Sequence, residues 1–195
     1  MIEIYRREDP TFIEGLGWDA ERGMLLESSG WNGTSKINWE SVNENDLSID
    51  VEQSISRPGI FGEGVSPIND HELIWMTYHD GDVFVVDKDT LEVKEDKTFD
   101  LWETSDEGWG LTMDWENNIL YMSDGTSHIH RINPETLLVE SSFEVTENGH
   151  PVKSINELEF VNGMIWSNIF LKKDIIKIDP SNGHVVKRID MSSLH

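Results

Sequence analysis

Polar side chains that can do chemistry stand at similar places in this sequence, at the start of short apolar segments. Glu14 and Glu63 each precede a glycine, and Asn156 precedes another glutamate. A carboxyl group in such a place can act as a general acid or base. The glycines beside it are equally typical of a bulge or turn that faces water. These residues are therefore candidates for a site, and the turn interpretation stays open beside that one.

Several other kinds of site are disfavoured by residue type or spacing. The chain has no cysteine, which removes disulfides, thiolate zinc sites, iron–sulfur clusters and cysteine nucleophiles. It also has no Gly-x-Ser-x-Gly elbow and no glycine-rich phosphate loop. His128 and His130 lack a third zinc ligand at matching spacing. The acidic stretch 100–107 lacks the spacing of a known calcium loop. We therefore expect no metal and no cofactor.

Charge narrows the range of partners. The chain has 195 residues, with 15 basic and 38 acidic side chains and a formal charge of −23. Such a surface repels phosphate backbones and anionic lipids, so we expect neither nucleic-acid nor membrane binding. It attracts cations, including a peptide with a free ammonium terminus, although high solubility explains the charge equally well. The first residues carry no apolar signal segment, so a cytoplasmic location is the default expectation, and a periplasmic or secreted one if a signal has been removed.

A repeat indicates the fold. The segments that begin at Asp87, Asn133 and Asp179 share a turn followed by an apolar strand, and both intervals are 46 residues. A strand pattern precedes each turn, and two more strands lie upstream, which makes four strands per repeat. This period is typical of the blades of a β-propeller. The sequence therefore predicts one all-β propeller domain over residues 1–195.

Four blades of four antiparallel strands are visible, at approximately 11–57, 58–103, 104–148 and 149–195. A further strand at 1–6 is expected to close the ring by pairing with a blade. The segments around Glu14, Glu63, Trp109 and Asn156 start the blades, so each is predicted to be an innermost strand beside the central channel. Tryptophans elsewhere are predicted to pack between blades, namely Trp18, Trp75, Trp102 and Trp166.

Four strings of residues resemble one enzyme family. They are Phe61-Gly62-Glu63-Gly64, Glu107-Gly108-Trp109-Gly110-Leu111-Thr112, Met122-Ser123-Asp124-Gly125-Thr126, and Gly149-His150-Pro151-Val152 followed by Ile155-Asn156-Glu157-Leu158-Glu159. In this order and spacing they resemble the plant and bacterial glutaminyl-peptide cyclotransferases, from Thr11 to about Leu194. The resemblance implies a five-bladed propeller. It also implies an enzyme that converts the N-terminal glutamine of a peptide or protein into pyroglutamate and releases ammonia, without a catalytic metal.

The resemblance also implies roles for particular residues. Glu63 corresponds to the general acid/base of the family, and Asn156 to the residue that binds or polarises the substrate amide. The substrate pocket would be formed by Phe12, Glu14, Phe61, Tyr78, Trp109 and Phe170. The chemistry is consistent, because a carboxylate can accept a proton from an amine of pKa about 7.7–8.0 and later protonate the departing ammonia. An amide donor can stabilise the oxyanion of the intermediate.

The sequence departs from the family pattern at some of these positions. Glu14 stands where the family has glutamine, and Tyr78 and Phe170 stand where it has tryptophan. The last blade of the family, which supplies a pocket lysine, has no counterpart in these residues. The first and last strands would then present open edges, which favours a homodimer.

Two other functions remain open from the sequence. A degenerate propeller of this family would bind a peptide or protein at the channel mouth without catalysis. A propeller similar to the sugar lactonases would need a divalent metal held by carboxylates.

Overall fold

The protein is built of antiparallel β-sheet. The computed structural model describes residues 12–30, 34–43, 45, 48–79, 81–98 and 106–194. Four sheets follow one another along the chain as the blades of a β-propeller, which confirms the predicted fold class. The strand predicted at 1–6 lies outside the described residues. No helix in the described part of the chain is long and apolar enough to span a bilayer.

Each blade takes its four main strands in chain order. Blade 1 contains β1 (Ile13–Asp19), β2 (Met24–Ser29), β3 (Thr34–Val42) and β4 (Ile49–Pro58). Blade 2 contains β5 (Gly62–Pro67), β6 (Glu72–Thr77), β7 (Asp82–Asp87) and β8 (Val93–Thr98). Blade 3 contains β9 (Leu111–Asp114), β10 (Ile119–Ser123), β11 (His128–Ile132) and β12 (Val139–Glu144). Blade 4 contains β15 (Ile155–Val161), β16 (Met164–Ile169), β17 (Asp174–Asp179) and β18 (His184–Asp190).

Blade 4 carries an addition that the repeat does not predict. Two short strands, β13 (Thr146–Glu147) and β14 (His150–Pro151), precede it and form a small hairpin. β13 pairs in parallel with the outer strand β18 at Thr146 and His184. A 3₁₀ turn, Ser192–Leu194, follows β18. The outer edge of this blade is therefore partly covered.

The repeated hairpin turn has a clear chemical basis. The Oδ1 atom of Asp87 accepts hydrogen bonds from the backbone N–H groups two and three residues later, both at 2.9 Å. Leu91 then adopts a left-handed φ of 57° and donates its N–H to the Asp87 carbonyl at 2.8 Å. Asn133 and Asp179 form the same turn. A side chain that hydrogen-bonds its own turn is what Asp and Asn contribute at such positions.

The core consists of three apolar clusters, each between two neighbouring blades. Trp39, Trp75 and Phe84 anchor the first cluster, between blades 1 and 2. The second joins blades 2 and 3 around Met76 and Met122. The third joins blades 3 and 4, and its members include Tyr121, Ile155 and Ile176. Burial of these faces is what holds consecutive blades together.

The predicted tryptophan packing is confirmed at Trp75 and wrong at Trp18. Trp75 is fully buried, contacts Phe84 at a ring distance of 5.7 Å, and donates Nε1–H to Ser28 Oγ at 2.8 Å. Trp18 is 51% exposed. Gly17 faces Val65 of blade 2, so the side chain of Trp18 lies on the opposite face of β1. Trp166 is partly buried beneath Lys177. Trp102 lies outside the described residues.

A buried ion pair also joins blades 1 and 2. The Nζ atom of Lys88 lies 2.7 Å from Asp19 Oδ2, and both side chains are 4% exposed. Burial by itself would raise the pKa of Asp19, but hydrogen bonds from Lys88 and from backbone N–H groups lower it. The Asp19 carboxyl group is therefore ionised, and both side chains are shielded from water.

Candidate active site

One cleft at the mouth of the channel collects all of the predicted site residues. Its volume is about 250 Å³, near the lower end of the range typical of small-molecule sites. Its lining consists of Phe12, Glu14, Phe61, Glu63, Tyr78, Trp109, Asn156 and Phe170. These are the two predicted catalytic residues and the six predicted substrate-binding residues. The cleft is mostly apolar with few polar groups, which suits one amino-acid residue.

The blades place these side chains at one end of the ring. Four of them occupy the same repeat position, in or just before the first strand of each blade: Glu14, Glu63, Trp109 and Asn156. Phe12 and Phe61 precede the first strands of their blades, whereas Tyr78 and Phe170 follow the second strands. In an antiparallel pair, the start of one strand and the end of the next lie together. The repeat therefore builds the cleft from every blade.

Glycines let the first strands approach each other closely. A Cβ atom at Gly64 would lie 2.6 Å from the Trp109 carbonyl oxygen, and one at Gly110 would lie 2.5 Å from that of Asn156. The Gly64 N–H donates to the Trp109 carbonyl at 2.8 Å. Any larger side chain at these positions would separate the strands and so the residues of the cleft.

Glu63 is a buried carboxyl group in a negative environment. It is 6% exposed, and no described residue forms a hydrogen bond with its side chain. Burial, together with the nearby charges of Glu14 and Glu107, raises the pKa of Glu63 to about 9. Burial also raises the pKa of Glu14 to about 7. Glu63 therefore keeps its proton at neutral pH and can donate it to a ligand.

Asn156 offers an amide in the same cleft. Its backbone carbonyl accepts a hydrogen bond from Ser123 Oγ at 2.6 Å, which fixes the strand start. Within the described ranges, no residue bonds to its side-chain amide. The amide N–H groups can therefore serve a substrate oxygen.

The wall of the cleft is an aromatic set held in place from behind. The Trp109 indole donates Nε1–H to Glu107 Oε2 at 2.9 Å and meets Phe170 edge-on at 5.3 Å. Its rear face lies against Gly125, where a Cβ atom would be 2.5 Å from the ring. Tyr78 lies 6.5 Å from Trp109. The indole is thus fixed on three sides.

Two supporting residues were not predicted from the sequence as parts of this site. Glu107 was named within one of the four strings and in the acidic stretch weighed as a calcium loop, yet it orients the Trp109 indole and lies within 4.0 Å of His79. Glu157 was named only within the string that contains Asn156, and it accepts a hydrogen bond from Leu16, 141 residues away. Only the position of Glu107, two residues before Trp109, could have signalled its role.

The metal alternatives have no support among the described residues. No group of three or more His, Cys, Asp or Glu side chains there could hold an ion. His130 instead lies with its Nε2 atom 2.9 Å from Asp124 Oδ2, and both side chains are buried. Asp100 and Glu103 of the acidic stretch lie outside the described residues.

Comparison with known proteins places the chain in a family. A family model described as Glutamine cyclotransferase matches residues 1–195. The chain is 30% identical over 196 residues to the glutaminyl-peptide cyclotransferase of Arabidopsis thaliana, a match that covers 100% of this chain but 57% of that relative. It matches the crystal structure of Myxococcus xanthus glutaminyl cyclase with a TM-score of 0.79 and 29% identity, over 94% of this chain and 72% of that one. This chain therefore spans little more than half the length of the plant relative, and it belongs to the glutamine cyclotransferase family.

Proposed function

We propose that this chain cyclises the N-terminal glutamine of a peptide or protein to pyroglutamate and releases ammonia. The observation that carries the proposal is the cleft itself, where a carboxyl group and an amide that bond to no described residue lie within an aromatic wall. Membership of the glutamine cyclotransferase family supports the same reaction. The substrate would be any polypeptide whose first residue is an accessible glutamine.

The reaction requires the net transfer of one proton from the attacking nitrogen to the leaving nitrogen. The α-amine of the substrate attacks the γ-carboxamide carbon, a C–N bond forms, and the bond to the amide nitrogen then breaks. The attacking nitrogen loses a proton and the leaving nitrogen gains one. Because both nitrogens belong to one residue, the protein has to orient them and move the proton.

Glu63 is suited to hold that proton. Its pKa of about 9 lies above the pKa of a terminal amine, about 7.7–8.0. When Glu63 and the substrate amine together hold one titratable proton, that proton therefore resides on Glu63 and the amine is neutral. The carboxylic acid then protonates the leaving nitrogen, and the resulting carboxylate accepts the proton of the attacking nitrogen. Glu63 ends the cycle as it began.

Asn156, Glu14 and the aromatic wall have complementary roles. The amide N–H of Asn156 would stabilise the oxyanion that forms on the γ-carbonyl oxygen. Glu14, with a pKa of about 7, is ionised above neutral pH and would attract the cationic form of the substrate. Trp109 and Phe170 would hold the methylene groups of the glutamine and exclude water.

Ammonia release from a glutamine-initiated peptide tests this proposal. We expect turnover by the wild type, loss of turnover in Glu63→Gln, and a fall of about 10²–10³ in Asn156→Leu, as for other oxyanion donors. Glu116→Gln, at an exposed turn, is the matched control and should keep the wild-type rate. Folded wild-type protein that releases no ammonia above the buffer rate would contradict the proposal.

Self-association is a separate proposal. The outer strand β4 is ten residues long and, within the described residues, pairs only with β3. An unpaired edge of this length can pair with a second copy of the chain. We expect a dimer in sedimentation velocity, and a monodisperse monomer would contradict it.

A further inference from the structure

Glu157 breaks the pattern of the innermost strands. Gly15, Gly64 and Gly110 each follow a residue of the cleft, and each lies against the backbone of the next blade. In blade 4 the residue at this position, directly after Asn156, is Glu157. The three blades with glycine approach their neighbours backbone to backbone, whereas the fourth approaches blade 1 through a side chain.

The contacts repeat at equivalent atoms. A Cβ atom at Gly15 would lie 2.9 Å from Val65 N, and one at Gly110 would lie 2.8 Å from Leu158 N. The next equivalent atom around the ring is Leu16 N, in blade 1. Its N–H donates to Glu157 Oε1 at 3.1 Å. The glutamate side chain thus reaches the atom that a closer strand would contact directly.

Little else in the described residues joins blade 4 to blade 1. The three apolar clusters lie between blades 1 and 2, 2 and 3, and 3 and 4. Within the same ranges, the bond from Leu16 to Glu157 is the one hydrogen bond between these two blades. Leu16 and Trp18 of blade 1 remain 38% and 51% exposed beside this contact between blades 1 and 4. Glu157 therefore provides the contact between blades 4 and 1, whereas an apolar cluster joins each of the other neighbouring pairs of blades.

The contact between β1 and β15 lies next to the cleft. Glu14 lies two residues before Leu16 on β1, and Asn156 lies one residue before Glu157 on β15. The backbone N–H of Glu157 donates to Asn168 Oδ1 at 3.0 Å, which anchors the glutamate on its own blade. A change in the Leu16–Glu157 bond therefore changes the separation of two sides of the cleft.

Burial favours the neutral form of the Glu157 carboxyl group. Its Oε2 atom is buried, and no described residue forms a hydrogen bond with it. Burial raises the pKa of Glu157 well above its ordinary value, while the N–H of Leu16 lowers it, and the charges of Glu159, Glu63 and Glu14 add to the increase. The bond to Leu16 therefore needs an acceptor oxygen and not a negative charge.

We propose that Glu157 is a positioning residue, whose side chain holds β1 against β15 and thereby sets the place of Glu14 relative to Asn156 in the cleft. This role rests on the proposed cyclotransferase function. The mechanical part of it, the attachment of Leu16, can be measured without turnover.

Two substitutions separate the acceptor oxygen from the charge. Glu157→Gln keeps an oxygen for Leu16, whereas Glu157→Leu removes it at similar size. Glu159→Leu, two residues later on the same strand, is the matched control. We expect the leucine variant at 157 to increase hydrogen exchange at the Leu16 amide about fivefold. We expect the glutamine variant and the control to exchange like the wild type.

Steady-state kinetics with a glutamine-initiated peptide complete the test. We expect kcat/KM to fall about 10- to 100-fold in Glu157→Leu, mainly through kcat, because a small displacement of catalytic groups slows the chemical step. Glu157→Gln should stay within about twofold of the wild type. Unchanged Leu16 exchange in Glu157→Leu would overturn the proposal, whether or not the wild type turns over. Faster exchange at the Leu16 amide in Glu157→Leu with unchanged kinetics would overturn the positioning role. If the wild type shows no turnover but the exchange difference is still present, the proposed function is refuted and the attachment of Leu16 to Glu157 stands.

Discussion

Replacement of Glu63 by glutamine should stabilise the fold while it abolishes turnover. The pKa of Glu63 is raised from 4.5 in the unfolded chain to about 9 in the folded protein. The folded state therefore binds the proton more tightly, so stability that is fully present below pH 4.5 is lost as the pH rises toward 9. A glutamine at the same place has no proton to lose and avoids this loss.

The size of the effect follows from the shift. Each pH unit between the two pKa values costs the folded state 1.36 kcal/mol, so the 2.5 units from 4.5 to pH 7 amount to about 3 kcal/mol. In a chain of this length that corresponds to a melting temperature roughly 6–12 °C higher for the variant at pH 7. At pH 4.5 the two proteins should differ by less than about 1 kcal/mol.

Urea denaturation at pH 4.5, 6 and 7 measures this difference. The stability advantage of Glu63→Gln should grow steadily with pH, whereas Glu116→Gln, in an exposed turn, should show no such trend. An advantage that is absent, or that does not change with pH, would refute the account of Glu63 as a buried protonated acid. The same variant must also lack turnover, because the amide cannot exchange the proton.

Three further results are expected. The kcat/KM for a glutamine-initiated peptide, followed by initial rates from pH 6 to 10, should rise through about pH 8 as the substrate amine loses its proton and fall above about 9 as Glu63 ionises; a profile that stays flat to pH 10 would contradict this. Gly125→Ala should lower turnover at least about tenfold, because φ is +74° and the new Cβ would displace the Trp109 indole. The control is Gly163→Ala, also at positive φ but in open space, which should lose stability in urea and keep its turnover. Lys88→Met should destabilise the fold by about 1.5–3 kcal/mol, because the buried Asp19 carboxylate loses the closer of its two cations and keeps Arg22 Nε at 3.5 Å; thermal denaturation that shows no loss would mean that the pair is not shielded.

The repeat made much of the fold predictable. Turns at Asp87, Asn133 and Asp179 are local, since each side chain bonds its own backbone within three residues. The blade starts could be aligned in sequence, and aligned starts occupy one end of the ring. For that reason Glu14, Glu63, Trp109 and Asn156 lie in one cleft, whereas Phe12, Phe61, Tyr78 and Phe170 were predicted from the resemblance.

Contacts between blades were harder to predict. The bond from Leu16 to Glu157 depends on how far apart blades 1 and 4 lie, which no local pattern records. The pairing of β13 with β18 likewise depends on the path of a connecting segment. Trp18 was expected to be buried because of its type, but its exposure depends on the face of its strand. Gly17 faces blade 2, so Trp18 lies on the opposite face.

The roles within the cleft depend on chemistry that geometry alone does not record. Glu63 and Asn156 share the cleft, and their side chains have no partners among the described residues. This arrangement fits proton transfer by Glu63 and oxyanion stabilisation by Asn156.

Mass spectrometry of a peptide mixture tests the central claim most directly. Two peptides that differ only in the first residue, glutamine in one and asparagine in the other, are incubated together with the wild type, with Glu63→Gln and with Glu116→Gln. We expect the wild type and Glu116→Gln to convert the glutamine peptide alone, with the mass loss of one ammonia, and Glu63→Gln to convert neither. Conversion of the glutamine peptide by the wild type at no more than the rate in buffer would contradict the claim.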